Sequence, residues 1–130
     1  KDKELLQKLK LGQVDFALPS SVMSSVSDEF GVFEMPYIIK DREHMKRVQA
    51  ELGDTFQAAA QAKGYHIVGY FENGFRHITN NTRPINVPSD LEGVKLRTPK
   101  SKWRLKMFKL YGANPTPMAF SEVFTALKTG

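Results

Sequence analysis

The sequence contains no cysteine and only one tryptophan. Without cysteine it can build no disulfide framework, no thiolate zinc site and no cysteine nucleophile. No stretch approaches the ~18 consecutive apolar residues that a membrane-spanning helix needs. No Gly-x-Ser-x-Gly elbow and no glycine-rich phosphate loop occurs. The histidines, His44, His66 and His77, form no i, i+4 pair and no His-Glu-x-x-His pattern, so no metal site is expected. No nucleophile–base pair is legible, and the expectation is a protein that is not an enzyme and uses no cofactor. The chain opens at Lys1 without a charged leader or an apolar h-region. No signal peptide is therefore present in this chain, which by itself says little about localisation.

What the sequence does contain is ordinary for a globular chain. It has 130 residues, 41% of them apolar and 25% charged, enough for a core and too apolar for wholesale disorder. The net charge is +5. Much of it falls in one run between Val94 and Lys109, where Lys95, Arg97, Lys100, Lys102, Arg104, Lys106 and Lys109 occur with no acid between them. Such a run raises a basic anion- or nucleic-acid-binding module as one reading. Lys102, Lys106 and Lys109 share one helical face while Trp103, Met107 and Leu110 take the other, which favours a solvated lysine face instead. Nucleic-acid binders usually interleave exposed aromatics or carry a recognisable module, and neither is seen.

Along the chain, Leu5, Leu6 and Leu9 predict a first helix stopped by Gly12. Val14–Leu18 alternates and reads as a short strand before Pro19, followed by a serine-rich loop through Ser27. Phe30–Ile39 reads as a buried irregular segment or strand. Asp41 should cap a helix with Met45, Val48, Leu52, Phe56 and Ala60 on its apolar face, ended by Gly64. His66–Phe71 reads as a buried strand and Arg76–Thr79 as another. Pro88–Gly93 predicts a single helical turn, Val94–Arg97 a strand, and Ser101 the cap of a helix closed by Gly112. Asn114–Met118 is extended, and Ser121 should cap a last helix. Alternating strands and helices imply an α/β fold with a largely parallel sheet.

Arg97 ends a strand at the place where open parallel sheets collect ligands. An arginine there can hold a carboxylate with two parallel charged hydrogen bonds, or it can make a structural salt bridge; spacing alone leaves both open. Arg76, after a second strand-and-turn signal, poses the same choice.

Several linked blocks resemble the solute-binding proteins of tripartite ATP-independent periplasmic (TRAP) transporters, the DctP-like family. They are Leu11-Gly12-Gln13-Val14-Asp15-Phe16, Phe33-Glu34-Met35-Pro36-Tyr37-Ile38, Gly74-Phe75-Arg76, Asp90-Leu91-Glu92-Gly93-Val94-Lys95-Leu96-Arg97, and the run from Tyr111 through Pro117-Met118-Ala119-Phe120 to Gly130. The resemblance implies a type II periplasmic-binding-protein-like fold, with parts of two lobes, each a mostly parallel or mixed sheet flanked by helices. The division expected is 1–72 for part of lobe one and 73–130 for part of lobe two. It further implies periplasmic capture of a small organic acid and delivery to membrane permease subunits. Arg97 would hold the ligand carboxylate, Arg76 would assist, Met118 and Phe120 would line the pocket, and Ser20 would offer a polar contact from the other lobe. No nucleic acid is expected as a partner. Family members are longer than this chain, so an internal fragment is expected, and its open strand edges would favour a dimer of the fragment.

Overall fold

A computed structural model describes residues 2–130. The helices are α1 (Asp2–Lys10), α2 (Arg42–Gln61), α3 (Lys102–Leu110) and α4 (Phe120–Thr129), and the strands are β1 (Lys95–Thr98) and β2 (Asn114–Pro117). Three short 3₁₀ segments, Ser21–Ser25, Asp28–Glu34 and Pro88–Leu91, complete the order.

The longest helix forms where its local signals are strongest. The Asp41 carboxylate accepts the His44 backbone N–H at 2.6 Å, satisfying one of the donors a helix start leaves open. Phe56 and Ala60, one turn apart, bury against Phe30 of the second 3₁₀ segment. The Phe56 ring lies 5.6 Å from that of Phe30 and 5.0 Å from that of Phe33. Val48, Met23, Tyr65 and Ile67 close over this cluster. Tyr65 also donates its hydroxyl to the Leu6 carbonyl at 3.3 Å, which ties α1 to the end of α2.

The other structural unit is β1–α3–β2. The strands pair in parallel with Lys95 opposite Asn114 and Arg97 opposite Thr116, and parallel neighbours require a crossover, here α3. Ser101 caps α3 by accepting the Arg104 N–H, and Gly112, at φ +78°, turns the chain back into β2. Leu91, Val94 and Ala113 are buried in this unit.

Several expected elements differ. Val14–Leu18, His66–Phe71 and Arg76–Thr79 are irregular, because β1 and β2 are the only paired strands among the described residues. A ladder requires a neighbouring edge, and period-two alternation cannot supply one. His66–Phe71 is also not buried: Val68 and Phe71 are largely exposed while Ile67 alone turns towards the core. The serine-rich stretch and the segment after it wind into 3₁₀ turns, with Phe30 buried as expected. The last helix begins at Phe120, one residue before the expected cap, because the Glu122 carboxylate accepts the Ala119 N–H at 3.2 Å and starts the helix there.

The second 3₁₀ segment packs on α3 through Gly31. A β-carbon at Gly31 would sit 2.6 Å from Trp103 Nε1 and 2.9 Å from its Cδ1. Gly31→Ala is therefore expected to destabilise by about 1–3 kcal/mol through overpacking. Urea unfolding reads this directly, and an unchanged midpoint would place Trp103 away from this segment.

Candidate functional site

The carboxyl end of β1 carries Arg97, whose Nε and Nη2 both donate to the Met118 carbonyl, at 3.1 and 2.8 Å. Met118 follows β2 directly and extends the ladder by donating its N–H to the Thr98 carbonyl. The strand pairing thus aims the guanidinium along the end of the sheet. Phe120, 82% exposed, places its ring centroid 5.9 Å from the Arg97 guanidinium carbon, within reach of a cation–π contact. Arg76 donates from Nη2 to the Ser20 hydroxyl at 2.8 Å, although 56 residues separate them. The five expected residues accordingly fall into two linked groups, Arg97 with Met118 and Phe120, and Arg76 with Ser20.

Arg104 was counted in the sequence only as one base in a run. Its side chain is 12% exposed and its Nε lies 3.2 Å from Glu34 Oε2, whose side chain is 2% exposed. Burial pushes the Arg104 guanidinium below the usual arginine range, Arg76 pushes in the same direction, and Glu34 opposes both, with Arg97 a weaker depressing neighbour. An arginine so shifted stays charged at neutral pH. Arg76 and Arg97 thus both act electrostatically on Arg104, with Glu34 opposing them.

The Glu34 carboxylate collects further donors: Ser24 Oγ at 3.1 Å on Oε1, and Ser101 Oγ on Oε2 beside Arg104. The sequence held one signal for it, a lone acid inside the apolar run Phe30–Ile39. Nothing in the pattern marked Arg104 as different from its lysine neighbours. Asp28 and Lys102 add an exposed ion pair along the same seam. Among the described residues there is no group of His, Cys, Asp and Glu able to hold a metal ion, and no helix is long and apolar enough to cross a membrane.

An α/β unit with an arginine at the carboxyl end of a strand has the makings of a binding protein for small anions. The profile of DctP, the bacterial extracellular solute-binding protein family 7, matches residues 1–130, and the chain belongs to that family. Among curated relatives, it is 40% identical to the C4-dicarboxylate-binding periplasmic protein DctP of Rhodobacter capsulatus, over 100% of this chain and 40% of that protein. It is 34% identical to the 2,3-diketo-L-gulonate-binding periplasmic protein YiaO of Escherichia coli, over 96% of this chain and 39% of that protein. The chain thus spans about two fifths of the length of the curated relatives it matches.

Solved structures agree on the fold. A TRAP periplasmic solute-binding protein from a Sulfitobacter species, with bound β-D-galacturonate, matches with a TM-score of 0.93 at 32% identity, over 99% of this chain and 44% of that one. One from Sulfurospirillum deleyianum, with bound succinate, matches with a TM-score of 0.93 at 37% identity, over 99% of this chain and 42% of that one. The α/β class and the periplasmic-binding-protein-like fold expected from the resemblance are those found.

Proposed function

We propose that this chain belongs to a periplasmic protein that captures a small organic acid and delivers it to a TRAP-type secondary transporter. The acid's carboxylate is held by Arg97 with help from Arg76, against the ring of Phe120. The division into lobes falls near residue 72, so that Ser20 and Arg76 belong to different lobes and meet beside the acid. One observation carries the reading: the Arg97 guanidinium is held at the end of the β1–β2 sheet by two hydrogen bonds to the Met118 carbonyl, while that of Arg76 is held by the Ser20 hydroxyl. These contacts orient the planar guanidinium groups, and an oriented guanidinium can meet a carboxylate with two parallel hydrogen bonds. Relatives described as binding succinate and galacturonate make dicarboxylates and sugar acids the first classes to try.

The test is a thermal-shift screen of the protein carrying this chain against small organic acids. A ligand that binds the folded state raises the midpoint by an amount that grows with the logarithm of its concentration over Kd. A stabilising acid whose effect disappears in Arg97→Ala is the expected result. An acid that stabilises the variant as well as the parent would remove Arg97 from the site.

A further inference from the structure

We propose that Glu34 is a positioning residue of the acid-binding site, its buried carboxylate fixing the spacing between the Arg76–Ser20 pair and Arg97. The inference rests on the reading that those residues bind an acid. Glu34 touches neither group directly; it holds the segment that follows each of them. Ser24, whose hydroxyl is shared between the Ser21 carbonyl at 2.9 Å and Glu34 Oε1 at 3.1 Å, lies four residues beyond Ser20 and sits in the first 3₁₀ segment. Ser101, which donates to Oε2, lies four residues beyond Arg97 and caps α3. Arg104 Nε, one helical turn into α3, donates to the same Oε2. A single carboxylate therefore clamps the two stretches of chain that present the ligand-facing groups.

The chemistry argues for geometry over stability. Burying an ion pair costs about as much in desolvation as the attraction returns, and apolar pairs of similar volume often do as well or better. What a carboxylate with donors from Ser24, Ser101 and Arg104 supplies is direction. Only one placement of the three segments satisfies all of them, and a shift of any segment strands a buried polar group. The Ser101 hydroxyl is used twice, donating to Glu34 and accepting the Arg104 N–H at 3.3 Å, so movement of Glu34 would also disturb the start of α3. Pro99 and Lys100 are all that separate Thr98, at the end of β1, from that cap, and the displacement would pass to Arg97. The charged groups that act on Arg104 of this pair from other elements are Arg76, from the loop, and Arg97, from β1.

The experiment compares Glu34→Gln and Ser24→Ala with the parent in the protein carrying this chain. Kd is measured by calorimetry for succinate, D-galacturonate, D-glucuronate and L-gulonate, alongside the melting midpoint without ligand. Glu34→Gln keeps the size and removes the charge. It should weaken the preferred acid at least tenfold and change the ranking of short against long acids, because the spacing between the arginines has shifted. Ser24→Ala, which alters no α-helix cap, should move Kd and ranking the same way to a smaller extent, and it keeps the test open should Glu34→Gln fail to fold. A lower midpoint with Kd and ranking unchanged would reduce Glu34 to a structural role and overturn the inference. Parent binding that depends on Arg97 but not on Glu34 or Ser24 would overturn it while leaving the proposed function standing. A parent that binds none of the four acids would overturn both.

Discussion

Arg97→Lys is expected to weaken carboxylate binding by on the order of 2 kcal/mol, roughly 30-fold in Kd, with little change in the melting midpoint without ligand. The reason lies in the shape of the cation. Nε and Nη2 of Arg97 both point at the Met118 carbonyl, and this double contact fixes the plane of the guanidinium at the end of β1. A planar fork so oriented can meet a carboxylate edge-on with two parallel hydrogen bonds. Lysine offers a compact ammonium with no plane, and it must divide its donors between carbonyl and ligand. The charge survives the substitution, so long-range attraction of anions is retained and the loss should appear mainly in the dissociation rate. Calorimetry and stopped-flow measurements at one fixed salt concentration separate the two. A lysine variant within threefold of the parent would show that only charge is used at this position. An alanine variant that still bound would place the site elsewhere.

The elements that were legible in advance are those specified by their own residues. The α2 helix follows from Asp41 at its start and from Phe56 and Ala60 one turn apart, and the β1–α3–β2 unit follows from Ser101, Gly112 and the apolar strand between Val94 and Arg97. Val14–Leu18 and His66–Phe71 carry the same kind of alternation yet form no ladder, since pairing depends on a second segment that the alternation does not encode. The Ala119–Glu122 start of α4 displaced the more obvious Ser121, because a carboxylate three residues into a helix can satisfy the entering N–H as well as a serine can satisfy a later one. Within the site, an arginine at a strand end was recognisable from the order of the residues. Arg104 was not recognisable and Glu34 was marked only as a lone acid in an apolar run, for they stand 70 residues apart and their meaning lies in the pairing. Nor could spacing have shown that Met118 meets Arg97 through its backbone carbonyl, a group every residue possesses.

The largest effect on stability is expected at Phe56. Its ring is 3% exposed and touches both aromatic residues of the Asp28–Glu34 segment, so Phe56→Ala removes a transfer contribution and leaves a cavity that Phe30 and Phe33 cannot readily fill. A loss of about 3–5 kcal/mol is expected, a large share of the total for a protein of ordinary stability. The consequence should reach the candidate site, because Glu34 ends the same 3₁₀ segment that these rings pin to α2. Urea unfolding of the variant should show a lower midpoint with a similar slope if the native state keeps its shape. In the folded population, a segment no longer held by Phe56 would also relax Glu34 away from Ser101, and acid binding would weaken with it. A destabilisation below about 1 kcal/mol would mean that α2 is not what anchors this segment. Unaltered acid affinity in a strongly destabilised variant would instead show that the contacts of Glu34 with Ser24, Ser101 and Arg104 hold the segment without help from the aromatic cluster.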